Sequence, residues 1–226
     1  MRLLAMSAQF RKKIRLEDYL LQMRLLALHG YSMTARAFDA HTARMQHALQ
    51  TSAHTTIQSI DAPHTCNPKN DMPLLPNEKA RAWFTPTRLD DGSWRYDGVH
   101  DAAEAVWRAQ ASADADEQPY DGLIGFSQGA ALGHYIAATQ ASQARATPFR
   151  FFMLFGGFPF RPSEPSDVVR AASHDEPLLL PSLHAFGERD AIVKPNYSRR
   201  LADLFGSEGR VVHEHGGGYV VYAGAA

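Results

Sequence analysis

Short apolar runs typical of buried strands alternate along the chain with segments whose apolar residues recur at helical spacing. The predicted strands begin near Met23 and then cover Thr56–Ile60, Gly122–Phe126, Phe149–Phe155, Leu183–Phe186 and Arg210–His213. The predicted helices cover Ala37–Leu49, Val99–Ala113, Gly129–Ala141 and Tyr197–Phe205. Strands that alternate with helices form mostly parallel sheets with helices on both faces, so the pattern predicts an α/β fold.

Two long segments show neither pattern. Thr65–Asp97 is rich in Pro, Asn, Asp and Gly and carries Trp83 and Trp94, so we expect irregular structure with large apolar side chains. Phe160–Pro177 combines prolines with serine and acidic residues, and we expect a loop there that covers a cleft. We interpret residues 1–22 as an N-terminal extension and residues 23–226 as one domain.

Composition narrows the classes of function. A chain of 226 residues suits one domain with a substantial core. Its formal net charge of −1 gives no long-range attraction for nucleic acid or an anionic membrane, and no apolar run approaches the roughly 20 residues that span a bilayer. Cys66 is the single cysteine, which excludes an intrachain disulfide and a thiolate metal cluster within one chain. A single cysteine fits a protein of a reducing compartment, and we expect the cytoplasm.

The pentapeptide Gly125-Phe126-Ser127-Gln128-Gly129 stands between a predicted buried strand and a predicted helix. A serine hydroxyl acts as a nucleophile when a base removes its proton and when it projects clear of the sheet. A sharp strand-to-helix turn projects it, and Gly125 and Gly129 leave room for the strained backbone and for close helix packing. Such a pattern also arises by chance in glycine-containing turns. The strand before it and the helix after it favour a nucleophile elbow with Ser127 as the catalytic serine.

Backbone N–H groups near Ser127 are predicted to form an oxyanion hole. The N–H of Gln128 opens the helix and therefore points at the charge that develops on a bound carbonyl oxygen. We expect the second donor in the loop after the first strand, where the N–H of Tyr31 or Ser32 is suitably placed. His29 in the same loop is interpreted as a structural residue rather than an acid or base.

In α/β-hydrolases an acid and then a histidine follow the nucleophile along the chain. Asp190 comes after a predicted strand, where α/β folds place functional groups, and we predict that it is the acid. A turn residue or a helix cap is the alternative for Asp190. His213 and His215 lie at the end of the last predicted strand, and His215 is the best candidate for the base. Both histidines also fit plain polar positions at a strand end.

Seven motifs spread over most of the chain occur together. They are Leu28-His29-Gly30-Tyr31, Asp61-Ala62-Pro63-His64, Arg81-Ala82-Trp83, Tyr120-Asp121-Gly122, Gly125-Phe126-Ser127-Gln128-Gly129-Ala130, Phe155-Gly156-Gly157-Phe158 and His184-Ala185-Phe186-Gly187-Glu188-Arg189-Asp190. Jointly they resemble the eukaryotic FSH family of small serine hydrolases, which includes ovarian-cancer-gene-2-like esterases and fungal polyketide thioesterases. The resemblance implies an α/β-hydrolase that cleaves carboxylic ester or thioester bonds of acyl substrates, with Ser127 and Asp190 in its triad.

The end of the chain departs from the pattern of that family, which closes with His, any residue, Gly-Gly and then the catalytic His. This chain reads His215-Gly216-Gly217-Gly218-Tyr219, which puts Tyr219 or, shifted by one, Gly218 at that place. Neither is a suitable base, because tyrosine has a reference pKa near 10 and glycine has no side chain. His215 is then a substitute base, or the protein is an impaired hydrolase, or the C-terminus is altered. The closing helix of the family has no counterpart in the sequence.

These observations predict a metal-independent serine esterase or thioesterase that needs no cofactor and acts on a small-molecule acyl ester or thioester. The competing hypothesis is a non-catalytic protein that binds an acyl ligand or a partner. A phosphate or nucleotide enzyme ranks last, because the sequence carries no glycine-rich P-loop and no dinucleotide fingerprint. We expect no nucleic-acid partner, and the sequence leaves the acyl length and the oligomeric state undetermined.

Overall fold

The computed structural model describes residues 23–69, 74–112, 118–142 and 148–219. Its strands are β1 (Arg24–Leu28), β2 (Thr56–Ile60), β3 (His64–Thr65), β4 (Arg81–Ala82), β5 (Thr85–Arg88), β6 (Trp94–Asp97), β7 (Gly122–Phe126), β8 (Phe151–Phe155), β9 (Ser182–Gly187) and β10 (Arg210–His215). Its helices are α1 (Ala35–Ala53), α2 (Val99–Ala111), α3 (Gln128–Ser142), α4 (Glu164–Ser173) and α5 (Pro195–Asp203).

Six of these strands form one parallel sheet in the order β10-β9-β8-β7-β1-β2. Every residue of the central strands β7 and β8 is buried, as expected for parallel strands that helices cover on both faces. Helix α1 packs Phe38 and Met45 on one face of the sheet. Helices α2 to α5 pack on the opposite face, where the larger apolar cluster lies. The predicted α/β-hydrolase architecture with a mostly parallel sheet is confirmed.

The register of the sheet sets the position of the site. Leu28 pairs with Gly125, Phe126 pairs with Phe155, and Phe155 pairs with Ala185. The carboxyl ends of β1, β7, β8 and β9 therefore lie side by side. The residues that follow these four strands meet at one edge of the sheet.

Two segments differ from the sequence prediction. Phe160–Pro177 is not a loop throughout, because α4 occupies its middle. Ser163 begins this helix with a capping box, in which its side chain accepts from the N–H of Ser166 while the Ser166 side chain accepts from the N–H of Ser163. Thr65–Asp97 is not wholly irregular either, because two antiparallel pairs, β3 with β4 and β5 with β6, lie in and beside it.

Some predictions fall on other parts of the chain. The proposed N-terminal extension, residues 1–22, lies outside the described residues, and so do residues 220–226, on which the expectation about a closing helix falls. None of the helices within the described ranges has both the length and the apolar character to cross a membrane.

Candidate active site

Ser127 lies at the turn from β7 into α3 with a φ of +54°, in the left-handed region that a residue with a Cβ rarely adopts. Its N–H donates to the Phe155 carbonyl at 2.8 Å, which ties the turn to the neighbouring strand. Only 5% of the residue is exposed. Such backbone strain costs about 1–3 kcal/mol and persists where the surrounding structure fixes it.

The two glycines of the elbow are required by close backbone contacts. A Cβ on Gly129 would lie 2.3 Å from the Leu28 carbonyl oxygen. A Cβ on Gly125 would lie 2.6 Å from the Gly129 carbonyl oxygen. Only glycine therefore allows the helix to approach β1 and β7 this closely, which is the role predicted for both residues.

The candidate oxyanion donors differ in whether their N–H groups already have an acceptor. The Gln128 N–H is the first of α3, so no earlier carbonyl within the helix accepts from it. The Ser32 N–H donates to the Arg81 carbonyl at 2.8 Å and is therefore engaged. For the Tyr31 N–H, the described part of the chain supplies no acceptor. Of the two alternatives in this loop, Tyr31 is the one with an N–H available to a ligand.

A buried network that sequence reasoning missed holds this loop against the elbow. The Gln128 side chain accepts from the Trp83 N–H and donates to the Phe84 carbonyl, each at 2.8 Å. The Trp83 indole N–H in turn donates to the His29 carbonyl at 2.8 Å. The amide side chain of Gln128 thus links the nucleophile elbow to the loop that carries Tyr31. The sequence places these residues far apart, so it gave no signal of the contact.

His29 has the structural role that the sequence predicts. Its Nε2 accepts from the Ala62 N–H at 3.0 Å, so Nδ1 carries the proton and donates to the Gly30 carbonyl at 2.7 Å. Burial lowers the pKa of His29 to about 4. The ring is therefore neutral at pH 7 and fixes the backbone of its own loop.

Asp190 follows β9 and is 5% exposed. Its Oδ1 accepts from the N–H groups of Ile192 and Val193, both at 2.8 Å. Burial raises the pKa of Asp190, while these two N–H groups act in the opposite direction. The side chain of Asp190 therefore bonds within its own turn, as in the alternative considered from the sequence. Asp190 is not the cap of the next helix, because the N-cap of α5 is Lys194.

Gly156, directly after β8, adjoins both Asp190 and Tyr219. Its φ is +52° and its N–H donates to the Ala185 carbonyl at 2.9 Å. A Cβ on Gly156 would lie 3.8 Å from Asp190 Oδ2, 3.8 Å from Phe126 Cε2 and 4.0 Å from Tyr219 Cε2. The Asp190 carboxylate and the Tyr219 ring therefore border the same small space beside the elbow.

His215 is the last residue of β10, opposite Gly187 of β9, and is 6% exposed. Its Nδ1 accepts from the Gly217 N–H at 3.2 Å. Burial is the main cause that lowers the pKa of His215; His213 lowers it further and Glu188 opposes the change. The ring is thus held in a neutral form with Nδ1 as an acceptor.

The glycine loop after β10 is fixed by the turn after β9. The Arg189 N–H donates to the Gly217 carbonyl at 3.0 Å, and Arg189 Nε donates to the Gly216 carbonyl at 2.6 Å. A Cβ on Gly187 would lie 2.4 Å from the carbonyl oxygens of both Gly217 and Gly218. This close packing carries the chain across β9 and brings Tyr219 to the elbow.

A cavity of about 470 Å³ lies elsewhere, between α4 and α5, with His134 among its lining residues. None of the predicted site residues lines it. Within the described ranges, no group of three or more His, Cys, Asp or Glu side chains is arranged to hold a metal ion.

Comparison with known proteins identifies relatives that match this chain over most of its length. Residues 20–223 match the family model described as serine hydrolase (FSH1). Esterase OVCA2 of Mus musculus is 33% identical over 218 residues, which cover 90% of this chain and 91% of the relative. Esterase FPY3 of Fusarium mangiferae is 28% identical over 213 residues, covering 88% of each chain.

Solved structures share the fold at low sequence identity. Esterase PE8 matches with a TM-score of 0.63 at 20% identity, covering 89% of this chain and 86% of its own. Acyl-protein thioesterase 2 of Zea mays matches with a TM-score of 0.62 at 18% identity, covering 89% and 87%. The family resemblance predicted from the sequence motifs is confirmed: this chain belongs to the FSH1 serine hydrolase family.

Proposed function

We propose that the protein is a serine esterase or thioesterase in which Ser127 attacks the acyl carbon of a small ester or thioester. The observation that supports this most is the positive φ of Ser127 at the junction between a buried strand and a helix. This geometry lifts the hydroxyl out of the sheet and aims the first N–H groups of α3 at the same place. Esterase relatives and a thioesterase neighbour favour testing both bond types.

In the proposed reaction the N–H groups of Gln128 and Tyr31 stabilise the tetrahedral oxyanion. We choose Tyr31 over Ser32 because the Ser32 N–H already donates to the Arg81 carbonyl. Donors that are fixed before the reaction stabilise developing charge without reorganisation. The Gln128 and Trp83 side chains supply this rigidity, since they hold the two loops together.

His215 is the proposed base and Asp190 the proposed acid. His215 takes the proton from Ser127 Oγ as the Oγ–acyl bond forms, and returns it to the leaving alcohol or thiol. Water then attacks the acyl-enzyme and gives a proton to His215, which passes it to Ser127 Oγ as the Oγ–acyl bond breaks. The released carboxylic acid loses its proton to solvent. Burial favours the neutral imidazole that a base requires. To reach Ser127 and Asp190, the ring must release its bond from the Gly217 N–H.

Labelling with a fluorophosphonate probe tests the nucleophile. We expect a covalent adduct on Ser127 in the wild type and none in Ser127→Ala. Ser112→Ala is the matched control, because Ser112 is exposed at the end of α2 and should not change labelling. A folded wild-type protein without an adduct on Ser127 contradicts the proposal.

Turnover of matched acyl esters and thioesters tests the reaction. Loss of a triad member typically lowers kcat by several powers of ten, so we expect Ser127→Ala and His215→Gln to lose about 10³-fold or more. The ratio of kcat/KM for p-nitrophenyl butyrate to that for butyryl-CoA measures the preferred bond. Equal turnover in the wild type and Ser127→Ala contradicts the proposal.

A further inference from the structure

The second oxygen of the Asp190 carboxylate and the Tyr219 ring lie at the same small space next to Gly156. Oδ1 accepts both backbone N–H groups, whereas Oδ2 accepts no hydrogen bond from the described residues. Oδ2 and Tyr219 Cε2 border the same space at Gly156, 3.8 Å and 4.0 Å from the position that a Cβ would take there. In a serine triad the acid acts by accepting the Nδ1–H of the base. The place that a triad imidazole needs therefore adjoins Tyr219.

Contacts with the strand that leads into the elbow and with the turn after β9 position the Tyr219 ring. It packs on Phe126, the residue before Ser127, with ring centroids 5.0 Å apart and planes inclined by 38°. The bonds from Arg189 to Gly216 and Gly217 fix the loop that carries it. Tyr219 thus has a defined position next to Phe126, the residue before Ser127, and at the small space that Asp190 Oδ2 also borders.

His215 is engaged differently. Its Nδ1 accepts from the Gly217 N–H and so cannot donate to Asp190 in this arrangement. Its electrostatic neighbours are His213 and Glu188, at the β9–β10 edge.

We propose that Tyr219 is a positioning residue that fills the imidazole place of the triad, and that Tyr219→His completes a Ser127–His–Asp190 triad. This inference rests on the proposed function, since it assumes Ser127 as nucleophile. The phenol ring then occupies the place of the imidazole and offers no basic nitrogen that could take the proton from the serine hydroxyl. A histidine at this position accepts the proton on Nε2 and donates Nδ1–H to Asp190 Oδ2.

The test compares variants at position 219 by turnover of p-nitrophenyl butyrate. General base catalysis contributes roughly 10²–10⁴-fold, so we expect Tyr219→His to raise kcat by about 10²-fold or more. Its pH profile should gain a limb near pH 6–7, the range in which imidazole titrates. Tyr219→Phe is the matched control, because it keeps the ring and supplies no base. Adding Asp190→Asn should abolish the gain, and adding Ser112→Ala, at an exposed position at the end of α2, should leave it.

The outcomes separate this inference from the proposed function. If Ser127 is labelled but Tyr219→His turns over no faster than Tyr219→Phe, the inference is overturned and the nucleophile stands. If Ser127→Ala is as active as the wild type, the proposed function itself is wrong. Circular dichroism checks that each variant is folded. If Tyr219→His does not fold, Tyr219→Ala empties the same place. Added imidazole should then raise the turnover of Tyr219→Ala but not that of Tyr219→Phe. The absence of this rescue also overturns the inference.

Discussion

Individual hydrogen bonds around the elbow connect residues that are distant in the chain. The Trp83 indole N–H reaches the His29 carbonyl, and the Trp83 backbone N–H reaches the Gln128 side chain. The indole is fully buried and tilted against the His29 ring at 5.1 Å. Trp83 therefore fixes the loop of the proposed donor Tyr31 through one hydrogen bond and through packing.

Trp83→Phe removes the indole donor and keeps an aromatic ring. A typical hydrogen bond contributes about 1 kcal/mol, so a bond that fixes the oxyanion donor should lower kcat about fivefold to tenfold. KM should change little, because the loss falls on the transition state. Steady-state kinetics measure both. Trp94→Phe is the control, since Trp94 is half-buried under Arg161 in another part of the structure; equal kcat values for the two variants contradict the role of Trp83.

Gly129→Ala should be poorly tolerated. The added methyl would lie 2.3 Å from the Leu28 carbonyl oxygen, and backbone cannot move aside as a side chain can. We expect a loss of roughly 2–4 kcal/mol in the free energy of unfolding, together with loss of fluorophosphonate labelling. Urea unfolding measures the first effect.

Gly133→Ala in the same helix provides the comparison. Its methyl would meet only the ends of the Leu154 and Leu123 side chains, at 2.9 Å and 3.0 Å. Side-chain adjustment and the higher helix propensity of alanine should keep the stability within about 1 kcal/mol of the wild type. Similar losses in both variants would show that the tight contact at Gly129 is not the cause.

At the scale of elements, hydrophobic pattern predicts the sheet well and the peripheral elements poorly. The continuous apolar runs of β7 and β8 predict central strands, because a central parallel strand is buried on both faces. Helix α4 was missed because Pro165 and its polar residues suggested a loop. Proline is well accommodated in the first turn of a helix, and the cap at Ser163 starts it, so the composition was misleading.

Ser163→Ala should destabilise α4. It removes the side chain that accepts from the Ser166 N–H, and loss of an N-cap costs about 1 kcal/mol. Urea unfolding, or hydrogen exchange of the α4 amides, measures the effect. Ser207→Ala, in an exposed turn outside any helix, should leave both unchanged. If Ser163→Ala changes neither measurement, the apolar packing of Pro165 and Val169, and not the cap, holds the helix.

The candidate site was predictable only in part. Ser127 and Asp190 follow from local patterns and chain order, so single segments of sequence point to them. The proximity of Tyr219 to Asp190 was indicated only through the family pattern, which puts Tyr219 or Gly218 at the place of the catalytic histidine. The contact between Gln128 and Trp83 depends on how strands and loops that are distant in the chain are aligned. Sequence spacing contains no information about that contact, and the engaged N–H of Ser32 was likewise not foreseeable.

At the scale of the whole molecule, buried histidines make stability depend on pH. Burial is the main cause that lowers the pKa of His29 and His134 to about 4 and that of His184 to about 3. In the unfolded chain each returns to about 6.5. Below that pH the unfolded state binds protons that the folded state excludes. Each histidine therefore reduces stability by about 1.4 kcal/mol per pH unit as the pH falls from about 6 towards its folded pKa.

His134→Leu tests this linkage. The variant lacks one histidine whose pKa is lowered by burial. Between pH 6 and 4.5 its free energy of unfolding should therefore fall less steeply with falling pH than that of the wild type, and the two slopes should differ by about 1.4 kcal/mol per pH unit. Urea unfolding across this range gives both slopes. His47→Gln, at an exposed position of α1, should retain the wild-type slope. Identical slopes for His134→Leu and the wild type would contradict the assignment of the pH dependence to His134.

The side-by-side carboxyl ends of β1, β7, β8 and β9 also bear on the time course of folding. Ser127, Gly156, Asp190 and Tyr219 come together only after parallel strands separated by long crossovers have paired. Such non-local pairing is slow, and no short fragment of the chain contains the assembled elbow. The rate at which Ser127 becomes reactive towards a fluorophosphonate during refolding would therefore report the rate at which these strands pair.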